Sequence, residues 1–283
     1  MTLSKRLWDI LPHHGSVAAA PRQKVKGTDV SLTVALFLAV THRSYWLTGQ
    51  TAAATSIARL GLPVVSRAIN CLADTRPYHC PEPFGAPLLD LYRIGSKADL
   101  LCEQWSLFCD RFRRSAHGGR NGDMYVGVAG VLWEMADNVV WHAYEAHDKP
   151  CPAIAGYHIT KDTASFCVAD CGQGFLRSLQ LSPQWAGLKT DHDALDAVVN
   201  KHATSRIGEK EGGGFKQLFN SLLDFNGLVI LRSGSSAFRM ENTPASTRRG
   251  TASNFIHVPG SAVTTVISTR GQPTEQALEN SSK

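Results

Sequence analysis

The pattern of apolar and polar positions predicts alternating helices and strands in the second half of the chain. Between 126 and 143 the apolar residues recur at helical spacing, so one face of a helix should be buried; they are Val128, Val131, Leu132, Met135, Val139 and Ala143. Two alternating segments at 155–160 and 165–170 flank a turn and predict a β-hairpin whose second strand ends at Asp170. An apolar strand is expected at 228–231.

The regions around these elements have weaker patterns. An amphipathic helix is predicted over 191–203, with Leu195, Val198 and Val199 facing inward, and a second helix from Phe215 to Gly227. Phe238 and Met240 predict a short strand, and a final strand is predicted over 255–259. On the N-terminal side, a helix over 29–50 is expected to run into a strand-like segment at 45–47. Helices are also predicted over 51–60 and 100–115, the latter burying Leu101, Trp105, Phe108 and Phe112.

These elements predict two folded regions, a small one at 29–115 and a larger one at 123–259. Residues 1–28 lack periodicity and are expected to form a flexible arm, while the polar tail at 271–283 is expected to be disordered. The segment 77–87 contains four prolines and is predicted to be a loop or linker.

Composition excludes several classes of function. The 283 residues are 43% hydrophobic and 19% charged, as in ordinary globular proteins. The net charge of +5 is concentrated in short clusters at 111–114 and 248–249, so no nucleic-acid partner is expected. The longest apolar run, 30–40, is shorter than the roughly 20 residues of a membrane span, so we expect a buried helix there and neither a membrane segment nor a secretory signal. Seven unpatterned cysteines favour reduced thiols, a cytoplasmic location and no structural zinc.

Four short blocks carry the candidate chemistry. Glu134 and Asn138 are four residues apart on the predicted helix, so they share a face; a solvated polar pair is the alternative. The sequence Asp-Cys-Gly-Gln-Gly at 170–174 follows a strand, where its glycines permit close backbone approach; a tight turn is the alternative. Three glycines at 212–214 precede an apolar helix whose free N–H groups suit phosphate. Gly-Thr at 250–251 precedes the last predicted strand.

In this order and spacing, the blocks resemble the GHKL superfamily of ATP-binding domains, most closely its anti-sigma-factor kinase-like branch. The resemblance covers about 123–259 and implies a two-layer α/β sandwich, the Bergerat fold, with helices on one face of a mixed sheet. It departs from the family in having three glycines after Glu211, with Phe215 in place of leucine. His142 also resembles this branch, although packing or capping explains it before catalysis does.

The resemblance implies a role for each block. Glu134 would act as the catalytic base, Asn138 would hold Mg²⁺, and Asp170 would accept a hydrogen bond from adenine. The remaining nucleotide contacts are implied to come from the glycines and from the threonine that supports the aspartate: Gly172, Gly174, Gly212, Gly213, Gly214 and Thr251. The 37 residues between Gly174 and the third block correspond to a mobile lid over the nucleotide.

Three functions fit this resemblance. The first is an ATP-dependent serine/threonine protein kinase that also binds a regulatory protein partner, and the second is an ATPase switch in bacterial-type signalling. The third is a nucleotide-sensing adaptor that binds ATP and a partner with negligible turnover. The sequence leaves a homodimer open. A self-phosphorylating histidine kinase is disfavoured, because no histidine has the context of a phosphoacceptor helix.

Overall fold

The fold was analysed in a computed structural model of the chain. It describes residues 32–47, 49–58, 63–74, 88–117, 122–143, 152–160, 163–205, 215–216, 218–220, 227–243, 246–255 and 257–268. The predictions for 1–28, 77–87 and 271–283 and for the glycines at 212–214 therefore lie outside the described residues.

Most of the described helices and strands follow the predicted order, but four were not predicted: Pro63–Ala73, Leu88–Ile94, Lys97–Leu100 and Gly174–Gln180. The helices are α1 (Leu32–Leu47), α2 (Thr51–Ala58), α3 (Pro63–Ala73), α4 (Lys97–Leu100), α5 (Glu103–His117), α6 (Gly122–His142), α7 (Gly174–Gln180) and α8 (Asp191–Asn200). The strands are β1 (Leu88–Ile94), β2 (Ala153–Ile159), β3 (Thr163–Asp170), β4 (Gly227–Gly234), β5 (Ser236–Thr243), β6 (Ser246–Ala252) and β7 (Val258–Ser268). Phe215 and Leu218 also lie in helical backbone.

The strands form one seven-stranded sheet in the order β1-β2-β3-β7-β4-β5-β6. The α/β class and the hairpin ending at Asp170 are confirmed. Each neighbouring pair is antiparallel, so the expectation of a mixed sheet is wrong. The last strand also differs from its prediction, because β7 begins at Val258 and runs through eleven residues.

Helices cover both faces of the sheet around β3, which corrects the prediction of two layers. Phe166 and Val168 pack into a core with α5, α6 and α8, while Cys167 and Ala169 pack into a second core with α1 and α3. The reason is visible along β3, where residues on both sides of the strand are apolar and buried. A strand that is buried on both faces needs a cover on each.

The predicted N-terminal region belongs to this same sheet. β1 pairs with β2 along seven residue pairs, and α1 packs on β2 and β3, so regions 29–115 and 123–259 share both cores. The apolar run at 30–40 is buried as predicted, from Ala35 through Val40. Within the described residues, no helix is both long and apolar enough to cross a membrane.

Two local predictions in this region are wrong. Residues 45–47 are the last turn of α1 rather than a strand, and the chain turns after them at Gly49, which has a φ of +78°. A left-handed glycine after the last turn is a common way to end a helix. Leu101 is 70% exposed because it precedes α5, whereas Trp105, Phe108 and Phe112 are buried as predicted.

A buried ion pair connects α5 to the edge of the sheet. The Arg111 Nε lies 2.8 Å from Asp90 Oδ2, and the Tyr157 hydroxyl donates to the same oxygen at 2.6 Å. The side chain of Asp90 is fully buried and that of Arg111 is 9% exposed. Removing one partner of a buried pair leaves the other charge without compensation, at a cost of about 3 to 5 kcal/mol.

We therefore expect Asp90→Asn to lower the free energy of unfolding by about 3 kcal/mol or more, measured by urea denaturation. Asp110→Asn is the matched control, because Asp110 pairs with Arg113 and Arg114 on the outside of the same helix. An exposed pair contributes less than about 1 kcal/mol. Equal losses in the two variants would contradict the role given to the buried pair.

Candidate functional site

A cavity of about 780 Å³, including space open to solvent, lies where α6, β3, α7 and the start of β7 meet. The segment that follows α8 and the helical residue Phe215 complete its described wall. Its described lining is largely apolar, and the main apolar residues are Met135, Val139, Val168, Phe175, Leu179, Val198, Phe215 and Val263.

Asp170 places a buried carboxylate in this cavity. Its side chain lies at the end of β3, and the residue is 2% exposed. Oδ1 accepts the Gly172 N–H at 2.7 Å, and Oδ2 accepts the Ser261 hydroxyl at 2.6 Å. Burial raises the pKa of Asp170, and these two hydrogen bonds oppose the rise by stabilising the charged form. The Ser261 N–H also donates to the carboxylate, which with about four acceptor sites retains capacity for one further donor.

Gly172 and Gly174 are required by the backbone beside Asp170. A Cβ on Gly172 would lie 2.7 Å from the carbonyl oxygen of Ala143 at the end of α6. Gly174 has a φ of +72°, and a Cβ there would lie 2.9 Å from Ser233 Oγ. Gly174 also lines the cavity, whereas Gly172 is not among the lining residues. The two glycines therefore let α6, α7 and β4 approach one another at the cavity.

The residue that supports Asp170 is Ser261, and not Thr251 as predicted. Thr251 lies on β6, which is separated from β3 by β7, β4 and β5. At about 4.8 Å per strand, four steps across the sheet correspond to roughly 19 Å. The prediction failed because the Gly-Thr pair at 250–251 was expected directly ahead of the last strand, whereas it lies on β6 and Gly260-Ser261 begins the buried part of β7. A glycine and a small hydroxyl residue ahead of a long apolar strand were the available signal.

Helix α6 presents Asn138 and His142 to the cavity, one turn apart. The predicted inward face of α6 is confirmed, since Val128, Val131, Leu132, Met135 and Val139 are buried. Glu134 precedes Asn138 by one further turn, is partly exposed and is not among the lining residues. The structure therefore places Asn138 with Asp170 and Gly174 at one cavity and leaves Glu134 about 6 Å farther along the helix axis than Asn138.

A cluster of three polar side chains lies in the same wall, which we call the His142 cluster: His142, Ser178 and Ser205. His142 Nδ1 is 3.0 Å from Ser205 Oγ and 3.2 Å from Ser178 Oγ. The two hydroxyl oxygens are 3.2 Å apart. The sequence indicated His142 and placed Ser205 at the distal end of the predicted lid without a role of its own. Ser178 was missed, because a single serine in a helix carries no signal.

The residues predicted to form the lid approach the cavity after α8. Leu195, Val198 and Val199 are buried as predicted. His202 adopts a φ of +54°, and the chain then bends so that Ala203, Thr204 and Ser205 line the cavity. The distal end of this segment is therefore part of the cavity wall.

The start of α8 is anchored to the β4–β5 turn. Asp191 Oδ2 accepts the Ser235 N–H at 2.7 Å and its hydroxyl at 2.9 Å. Gly234, which precedes Ser235, has a φ of +54°, and its carbonyl oxygen accepts a hydrogen bond from Arg232 Nη1 at 2.6 Å. Burial lowers the pKa of Arg232 to about 10, so the guanidinium remains charged at neutral pH and holds this turn. Anchoring at Asp191 fixes one end of the segment whose other end reaches the cavity.

The described residues contain no metal site made of protein side chains alone. No group of three or more histidine, cysteine, aspartate or glutamate side chains among them could hold a metal ion. Asn138 supplies an amide oxygen at the cavity. A single amide oxygen suits Mg²⁺, which keeps several waters and binds through phosphates rather than in an all-protein cage.

Comparison with known proteins adds no family to this geometry. A scan against models of protein families found no match, and a search of curated proteins found none either. The function is therefore inferred from the residues of the site.

Gly260 provides a test of how tightly the end of β3 is packed. Its φ is +82°, and a Cβ there would overlap the carbonyl oxygen of Asp170. We expect Gly260→Ala to cost about 2 kcal/mol or more of unfolding free energy, since left-handed backbone and a clash add. Gly250→Ala is the control, because nothing lies within 4 Å of a Cβ there. If Gly260→Ala lost no more unfolding free energy than Gly250→Ala, β7 would be able to shift away from Asp170.

Proposed function

We propose that this protein binds ATP with Mg²⁺ in the cavity beside Asp170 and uses it in a signalling reaction or switch. The observation that carries the proposal is a buried carboxylate, positioned by hydrogen bonds from Gly172 and Ser261, that lines a largely apolar cavity together with Asn138. A buried acceptor in an apolar cavity is costly unless a ligand or a structural need uses it.

Asp170 suits the amino group of adenine. Gly172 and Ser261 hold both of its oxygens from the protein side, so the carboxylate cannot rotate freely. An acceptor fixed in this way pairs with the exocyclic N–H of adenine. Guanine would present a carbonyl oxygen in the same place, and two facing acceptors repel each other. Apolar neighbours such as Val168 and Val263 suit the faces of the base.

Asn138 is the residue proposed to hold Mg²⁺, whose charge would neutralise the phosphates when bound. The glycines at 212–214 are proposed to contact the phosphates through their N–H groups, as the resemblance implies. Phe215, which follows them, lines the cavity and packs edge-on against Phe175 with ring centroids 5.7 Å apart.

The order of elements supports assignment to the Bergerat fold of the GHKL superfamily. Asn138 is on a helix, Asp170 ends the second strand of a hairpin, and a lid-like segment then leads to another helix and the remaining strands. Antiparallel pairing of β3 with β7 brings Ser261 to Asp170. The additional layer of α1 and α3 comes from residues outside 123–259, the part of the chain that carries the resemblance.

Glu134 is the proposed catalytic base. It lies one turn before Asn138 on α6, on the side away from His142. This supports a position near the terminal phosphate, bound through Mg²⁺ at Asn138, rather than near the base. There its carboxylate would orient and deprotonate either a water or the hydroxyl of a partner protein. A serine/threonine kinase and an ATPase switch therefore use the same residues. A nucleotide-sensing adaptor would bind ATP and a partner without needing Glu134.

The first test measures nucleotide-dependent thermal stabilisation of wild type and Asp170→Asn. Wild type should be stabilised by Mg-ATP and much less by Mg-GTP, because a ligand that binds the native state raises its stability. Asp170→Asn should weaken ATP binding by about ten- to a hundredfold, the value of a lost charge-assisted hydrogen bond.

The same variant should not destabilise the free protein. Because burial raises the folded-state pKa of Asp170, ionising it at neutral pH costs stability, which the neutral amide avoids. Without nucleotide, the Asp170→Asn variant should therefore have a melting temperature at pH 7 equal to or above that of wild type. The difference in melting temperature should shrink as the pH falls below the ordinary pKa of aspartate.

Equal binding of GTP and ATP by wild type, or unchanged ATP affinity in the Asp170→Asn variant, would overturn the proposed function.

A second test separates binding from turnover. Glu134→Gln should keep ATP affinity within a few fold while lowering hydrolysis or transfer by about a hundredfold or more, measured with radiolabelled ATP. Candidate partner proteins are added in a parallel series. Equal loss of affinity and turnover would make Glu134 part of the binding site. Absence of turnover in wild type under every condition would favour the adaptor.

A further inference from the structure

The cavity contains polar groups that ATP binding through Asp170 and Asn138 does not use. Apart from those two residues and Ser261, the described lining side chains with polar groups are Thr204 and the His142 cluster. Ser178 lies on α7 and is 4% exposed. A polar cluster in such a wall costs free energy unless its hydrogen-bonding capacity is used.

The cluster has acceptor capacity left after its internal bonds are counted. Each serine hydroxyl has one donor and two acceptor sites, and a neutral Nδ1 supplies one more site. The three contacts of 3.0 to 3.2 Å among these groups use at most three donor–acceptor pairs. At least one acceptor site on the two hydroxyl oxygens therefore remains for a ligand donor.

The position of the cluster identifies which part of a nucleotide would meet it. His142 lies one helical turn, about 6 Å, beyond Asn138, and its carbonyl accepts Gln173 Nε2 at 2.6 Å, three residues after Asp170. The cluster therefore lies one turn from Asn138, the residue proposed to bind the phosphates through Mg²⁺. It also contacts the segment that follows Asp170, the residue proposed to bind the base. The sugar joins these two parts of ATP.

From this geometry we propose that Ser178 and Ser205 bind the ribose hydroxyls and that His142 positions both serines. The proposal rests on the ATP-binding function above. The chemistry fits, because the cluster contains no lysine or arginine and two adjacent hydroxyl oxygens match the vicinal hydroxyls of ribose. Since Ser205 belongs to the segment after α8, contact with the sugar also ties that segment to the cavity wall.

The test compares ATP, 2′-deoxy-ATP and 3′-deoxy-ATP, each with Mg²⁺, by isothermal titration calorimetry. Wild type should bind ATP roughly three- to tenfold more tightly than at least one deoxy analogue, the factor for one hydrogen bond. In Ser205→Ala and Ser178→Ala this preference should fall close to one, while binding of the deoxy analogue stays near its wild-type value. Ser246→Ala, an exposed serine on β6, should keep the full preference.

The outcomes distinguish this inference from the function on which it rests. If wild type binds ATP but treats the three nucleotides equally, or if both alanine variants keep the preference, the ribose site is wrong and ATP binding stands. If wild type binds none of them, the proposed function fails. Because Ser205 lies outside the helices and strands, the Ser205→Ala variant remains decisive even if Ser178→Ala does not fold.

Discussion

The structure around the cavity depends on keeping one carboxylate out of water. Asp170 is stable there because Gly172 and Ser261 donate to its two oxygens, and both donors require unusual backbone nearby. Gly174 and Gly260 adopt left-handed φ values, and side chains at these positions would meet Ser233 and Asp170 itself. β3, β7 and α7 therefore cannot be rearranged independently, because each supplies a part of the environment that makes burial of this charge tolerable.

The same junction also determines how the segment containing α8 is held. Ser233 Oγ accepts the Phe175 N–H at 2.9 Å at the start of α7, and two residues later Ser235 donates to Asp191 at the start of α8. One short turn between β4 and β5 thus fixes the first residues of both helices. At the other end, Ser205 is held by side-chain hydrogen bonds to His142 and Ser178.

Sequence patterns predicted the parts of the fold that depend on local periodicity. The inward face of α6, the hairpin that ends at Asp170 and the buried face of α8 follow from repeats of 3.6 or 2 residues, and the structure confirms them. Features that depend on tertiary contacts were missed. Ser261 is 91 residues from Asp170, so nothing local indicated their hydrogen bond. Residues 45–47 have apolar side chains suited to either a strand or a helix, and packing of α1 on the sheet decided between them.

The second apolar layer changes what the N-terminal region contributes. Cys167 and Ala169 alternate with Phe166 and Val168 along β3, and α1 covers them from the side opposite α6. The Cys171 N–H also donates to the Pro152 carbonyl at 3.3 Å, so the residue after Asp170 is held from β2's side as well. With both faces and the following residue fixed, β3 can present its terminal carboxylate in a single position. The base selection proposed for Asp170 requires such rigidity, and α1 and α3 would contribute to it through β3 without lining the cavity.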